Sequence, residues 1–169
     1  TTRLPVVMPV VNRAISAPVN IHCDHSDSMF CRDAGWIQLY CASNQEVLDT
    51  VIQAYRVCEA VALPAMLNLD AFYLSHTPEP VDVPDPAAVD AYLPPFRPRV
   101  RLDPGRPRAF GGLAGPDAYM ELRYDLQQAM EEAADLARQF GASLHLLHVQ
   151  ELLEVPADMP PPPDVVERT

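Results

Sequence analysis

The densest reactive cluster in the chain is His22-Cys23-Asp24-His25-Ser26-Asp27-Ser28-Met29-Phe30-Cys31-Arg32-Asp33. Two imidazoles, two thiols, three carboxylates and one guanidinium fall within twelve residues. Such a set could hold a metal, form a loop of caps and Asx-turns, or grip an anionic substrate through Arg32. The spacing argues against metal, and none is expected. No pair matches a zinc-finger or zinc-ribbon framework, and there is no HExxH. A second constellation is Asn68-Leu69-Asp70-Ala71-Phe72-Tyr73-Leu74-Ser75-His76. Asp70 would lie at the carboxyl end of a strand, where loops of an α/β sheet form the ligand crevice. The structural reading of the same residues makes Asp70 a cap and His76 a surface or hydrogen-bonded group.

The elements that must position these groups alternate between strand and helix. Leu4–Val11 is apolar and β-branched, Pro18–His22 is a short strand candidate, and Trp36–Cys41 is a third apolar run. Ser43 and Glu46 form a capping-box pattern. It opens a helix to about Val61, with Val47, Val51, Ala54 and Cys58 on one face and Leu48, Ile52 and Tyr55 widening it. Leu63–Leu69 then reads as a buried strand. Strand, helix and strand with short links predict a βαβ crossover in a parallel sheet.

Ten of the 19 prolines fall between Pro78 and Pro116. This stretch should be an extended connector, because each proline removes an N–H donor and fixes φ. Pro116 then opens a long helix whose buried stripe is Leu122, Leu126, Ala129, Ala133, Leu136 and Phe140, with Gly141 as its stop. Ser143–Val149 alternates as a strand, and the tail from Pro156 reads as disordered or polyproline II.

The chain has 169 residues, 12 basic and 23 acidic, for a net charge of −11; every basic residue is Arg. That excess of acid, without a sizeable basic patch, excludes a nucleic-acid binder. No apolar run reaches membrane-helix length, so no membrane partner is expected. Cysteines at 23, 31, 41 and 58 read as reduced, cytoplasmic thiols. The start, Thr1-Thr2-Arg3-Leu4, shows no initiator Met and no signal-peptide pattern, so a piece of a longer chain is expected.

Many short segments resemble the α subunit of pyruvate:ferredoxin oxidoreductase. They are Asn12-Arg13-Ala14-Ile15-Ser16-Ala17-Pro18-Val19-Asn20-Ile21, Asp24-His25-Ser26-Asp27, Arg32-Asp33-Ala34-Gly35-Trp36-Ile37-Gln38-Leu39 and Asn44-Gln45-Glu46. Asn68-Leu69-Asp70-Ala71-Phe72, Leu74-Ser75-His76 and Tyr92-Leu93-Pro94-Pro95-Phe96 continue it, in order, from about Val6 to about Ala134. The resemblance implies an α/β fold: a partial doubly wound parallel sheet of the thiamine diphosphate-binding type, then a Pro-rich connector and a long helix plus strand. It implies oxidative decarboxylation of a 2-oxoacid to acyl-CoA, with electrons passed to ferredoxin. Thiamine diphosphate with Mg²⁺ would be shared with a partner domain or subunit. Iron–sulfur clusters would lie in partner domains or subunits, and coenzyme A would be co-substrate. The other subunits and ferredoxin are the implied partners.

Arg32 matches the family's arginine for the substrate carboxylate. Asp24, His25 and Asp27 would shape the same loop, with Asp70 and His76 as further candidates. The family's glutamate that protonates the aminopyrimidine lies upstream of this segment, so the chain alone is expected to be inactive. The expected divisions are 1–77 for the C-terminal half of the pyrimidine-binding domain, 78–115 for the connector, 116–150 for the helix and strand, and 151–169 for the tail. Residues from about 129 to 155 also resemble a universal stress protein. The alternative reading is therefore a small interaction module that at most binds a nucleotide.

Overall fold

The computed structural model describes residues 2–139. Strand β1 is Val7–Asn12, followed by the single helical turn α1, Ser26–Met29, and a 3-10 turn at Arg32–Ala34. Then come β2 (Ile37–Cys41), α2 (Asn44–Val61), β3 (Ala65–Asp70), α3 (Pro86–Tyr92) and α4 (Pro116–Gln139). The three strands form one parallel sheet in the order β1-β3-β2. β2, α2 and β3 make the expected crossover unit, and β3 takes the centre. Its first four residues, Ala65 to Asn68, are all buried, as befits a parallel strand paired on both sides.

Helix α2 starts where its capping box places it. Ser43 Oγ accepts from the Glu46 N–H at 3.2 Å. Glu46 reaches back one residue further than the usual box and accepts from the Ala42 N–H at 2.7 Å. The helix ends at Ala62, which takes the left-handed conformation at φ 54° without being glycine. Arg3 covers that end by donating to the carbonyls of Val61 (2.9 Å) and Ala62 (3.3 Å). A cation there also meets the negative pole of the helix.

The core joins the sheet to α2 and α4 through Ile37, Ala54, Cys58, Val61, Leu63, Ala65, Leu126, Ala129 and Ala133. Small residues on α4 let it lie close against α2. Leu122 does not belong to the stripe: it is 53% exposed, and burial on α4 begins one turn later at Leu126. Tyr55 likewise sits at the outer edge of α2. Phe140, Gly141, the Ser143–Val149 strand and the tail fall outside the described residues.

Two local expectations change. Pro18–His22 forms no strand. Its hydrogen bonds stay within the loop: Ala14 N–H donates to the Asn20 carbonyl at 3.1 Å, and the Asn20 side chain accepts from the His22 N–H at 3.1 Å. Ala17 is at φ 78°, which breaks any extended run. Val19 and Ile21 are exposed, so no burial supports a strand there. The Pro-rich stretch, in turn, is extended for most of its length but carries α3. Pro86 occupies the first helical turn, where the missing N–H is harmless, and Asp85 caps it by accepting from Ala87 N–H at 3.1 Å. The stretch lies over the α2 surface, held by Asn44 to Thr77 and Glu79, Gln45 to Asp82, and Arg99 to the Ala60 carbonyl.

Candidate active-site loop at the carboxyl end of the sheet

Parallel pairing sets Asn12, the last residue of β1, opposite Asp70, the last of β3. The loops leaving these two strands therefore start side by side. Asn12 is fully buried, and its amide nitrogen donates to Asp27 Oδ1 (2.8 Å), Ser28 Oγ (3.1 Å) and Asn68 Oδ1 (3.2 Å). Asp27 Oδ2 accepts from the Arg13 N–H at 3.0 Å, and Oδ1 also accepts from Ser28 N–H at 2.7 Å. The α1 turn is thus pinned to the end of β1. From the β2 side, Gln38 donates to the Ser28 carbonyl at 2.7 Å, and the Tyr40 hydroxyl meets Ser28 Oγ at 3.1 Å. Asn12 Oδ1 and Asn68 Nδ2 are buried without a partner.

Asp27 holds this network through charge-assisted bonds, and removing it would take the shortest of three acceptors from the buried Asn12 amide and the acceptor of the Arg13 N–H. Asp27→Ala is expected to destabilise the fold by about 2–4 kcal/mol. Urea denaturation against wild type checks this, and a loss within about 0.5 kcal/mol, the ordinary surface range, would show that the network carries no stability.

The loop's other groups gather on Asp70. His25 Nε2 lies 3.1 Å from Asp70 Oδ1 and 3.6 Å from Cys23 Sγ. The His25 ring meets Tyr40 edge-on, with centroids 5.0 Å apart. Asp24 does not face this group: it accepts from the Ser26 N–H at 2.7 Å. Bonds from the Ser26 side chain and backbone hold its carboxyl below the usual range. His76 stacks on Phe72 (4.3 Å, 6°) and bonds Ser75 Oγ at 2.8 Å, with His22 on the Phe72 ring as well. Arg32 stands on the exposed 3-10 turn, and its one ion pair among the described residues is to Asp33 at 3.3 Å. The fold therefore brings Cys23, His25 and Asp70 together. It uses Asp24 and Asp27 as local ties, and leaves Arg32 and His76 as separate exposed groups.

Partial burial first, then the hydrogen bond to Asp70 and the charges of Asp70, Asp24 and Asp27, push the Cys23 thiol up to about 11. Its alkylation by iodoacetamide is expected to climb about tenfold per pH unit until about pH 11, since the thiolate is the nucleophile. Peptide mapping of rates against pH checks it, and a plateau below pH 9.0 would contradict it. Cys41 and Cys58 are buried, and burial raises both thiols, Cys58 to about 12. With its thiols spread this way, the described chain offers no iron–sulfur ligand set.

The described residues also offer no diphosphate cradle. The left-handed glycines are Gly35, after the 3-10 turn, and Gly111, in the connector, rather than a loop between strand and helix N-terminus. The unpartnered Asn12 and Asn68 atoms are too deeply buried to reach a cofactor. Among the described residues, no helix is long and apolar enough to cross a membrane.

Residues 1–141 match the family described as "Pyruvate flavodoxin/ferredoxin oxidoreductase, thiamine diP-bdg". The chain belongs to this family. It is 50% identical over 133 residues to pyruvate synthase subunit PorA of Methanothermobacter thermautotrophicus, covering 78% of this chain and 35% of that protein. Ketoisovalerate oxidoreductase subunit VorA of Pyrococcus abyssi is 46% identical over 144 residues, covering 82% of this chain and 36% of its own length. The chain thus spans about a third of the length of these relatives. The oxidoreductase match runs beyond Ala134 to residue 141, so the whole described part of α4 falls within it. Only residues beyond 141 remain to the stress-protein resemblance, and they lie outside the described residues.

Sequence reasoning had no sign of Asn12, Gln38 and Tyr40 as parts of this loop's support. A usable signal was there: Asn12 and Asn68 each close or interrupt an apolar run, and a polar side chain buried in a strand must find partners.

Proposed function

We propose that this chain is part of the α subunit of a 2-oxoacid:ferredoxin oxidoreductase, acting in the cytoplasm. The complete assembly takes a 2-oxoacid and coenzyme A to acyl-CoA and carbon dioxide. The two electrons released pass singly to ferredoxin. Thiamine diphosphate with Mg²⁺ is shared with a partner domain or subunit, and the iron–sulfur clusters lie in partner domains or subunits. Residues 1–77 supply the C-terminal half of the pyrimidine-binding domain, 78–115 a connector over its surface, and Pro116–Gln139 a long helix.

The observation that carries this reading is the family match over residues 1–141. In this reading Arg32 holds the substrate carboxylate. Its guanidinium is exposed, tied to Asp33 by one 3.3 Å contact, and so can turn to a ligand. A guanidinium grips a carboxylate through two parallel hydrogen bonds and keeps its charge. A carboxylate grip suits every 2-oxoacid, and relatives named for pyruvate and for ketoisovalerate match at 50% and 46% identity. Asp24 and Asp27 shape the loop, and His25, Asp70 and His76 line the rim. The test is release of labelled carbon dioxide from carboxyl-labelled pyruvate by the complete subunit assembled with its partners. Release dependent on thiamine diphosphate is expected; a loaded assembly that releases none from any 2-oxoacid overturns the proposal.

A further inference from the structure

Cys23, His25 and Asp70 each offer one donor atom, and all three atoms lie within 4.8 Å of one another. We propose that these three residues bind a divalent ion of the zinc type. The donor set chooses the class of ion: a thiolate and an imidazole suit zinc or cobalt, whereas one carboxylate is too few hard oxygens for magnesium or calcium. The distances agree. Bond lengths of about 2.3 Å to sulfur and about 2.0–2.1 Å to nitrogen and oxygen place S and N about 3.6 Å apart, and N and O about 3.4 Å apart, around a tetrahedral ion. The corresponding separations are 3.6 Å from Cys23 Sγ to His25 Nε2 and 3.1 Å from His25 Nε2 to Asp70 Oδ1.

The donors are also held in place before any ion arrives. Asp70 is fixed by the β3 register against Asn12, and its carbonyl closes the following turn with Leu74. The His25 ring is set edge-on against Tyr40. Asp24 and Asp27 are engaged by backbone N–H groups, so they add negative field without competing as ligands. The His25 and Asp70 side chains are 43% and 37% exposed, which leaves a fourth position open to water or to an incoming anion. Three protein ligands with an open position is the arrangement of a reactive rather than a purely structural zinc. Bound there, the ion would also tie the loop after β1 to the end of β3, with release of the thiol proton. The inference needs only these three donors and stands apart from the reaction proposed above.

Cobalt(II) titration of the full chain tests it. One ion per chain is expected, with a thiolate-to-cobalt charge-transfer band that zinc abolishes by displacement. Cys23→Ser should remove the band and weaken zinc binding on the order of 100-fold or more, since even loss of a group behind a ligand costs 10–100-fold. Cys31→Ser should leave both unchanged. Independently of any variant, zinc should slow Cys23 alkylation in the wild-type chain. A missing band, a band that survives Cys23→Ser, or alkylation indifferent to zinc would each overturn the site.

Discussion

Arg32→Ala in the assembled oxidoreductase is expected to lower kcat/KM for a 2-oxoacid about 100-fold. Removing one partner of a charged hydrogen-bonded pair costs about 2–5 kcal/mol, and about 1.4 kcal/mol is tenfold. Arg32→Lys should recover part of this: it keeps the charge but not the paired donors. The stability of the fold should hardly change, because Arg32 is exposed and its ion pair with Asp33 is a surface one. Steady-state kinetics with pyruvate and a branched 2-oxoacid, beside a urea melt of each variant, separate the two effects. A loss of less than threefold in kcat/KM for both acids would remove Arg32 from the substrate site. A large loss for one acid and none for the other would also contradict a carboxylate grip, since both carry the same carboxylate.

Leu67→Ala is expected to destabilise the fold by about 3–4 kcal/mol, within the range for fully buried leucines. Leu67 has no exposed surface and sits mid-strand in β3, opposite Pro9 of β1 and Leu39 of β2. Both flanking strands limit collapse around the cavity, which favours the upper part of the range. Val83→Ala, at a position 76% exposed, should change stability by less than about 0.5 kcal/mol. Equilibrium urea unfolding of both variants checks the contrast. Equal losses would mean that the parallel sheet is not the stabilising centre of this chain.

What could be read in advance follows the range of the interactions concerned. Ser43 and Glu46 are three residues apart, so a helix start written in their types survives folding with only a one-residue change in partner. The apolar run before Asn12 and the run from Leu63 needed only burial to become neighbouring strands. Val19 and Ile21 had the residue types of a strand but no neighbour, and Asn20 offered the loop its own hydrogen bonds. Pro86 was read as a breaker although the first turn of a helix accepts it. Leu122 has the right spacing on α4 but lies beyond the part of the helix that packs.

The site was legible by residue type and not by pairing. Cys23 and His25 are close in the chain, and Asp70 joins them across 45 residues only because β1 and β3 pair in register. No linear spacing rule contains that third donor. Arg32 came from the resemblance alone, and the fold sets it on an exposed turn beside Asp33.

The central claim is that this chain forms part of a 2-oxoacid:ferredoxin oxidoreductase. The most direct test is ferredoxin reduction by the complete subunit assembled with its partners and loaded with thiamine diphosphate, Mg²⁺ and clusters. The account predicts reduction that requires both a 2-oxoacid and coenzyme A, with acyl-CoA formed at one per two ferredoxins reduced. An assembly that is loaded and folded, yet reduces no ferredoxin with any 2-oxoacid, would contradict it.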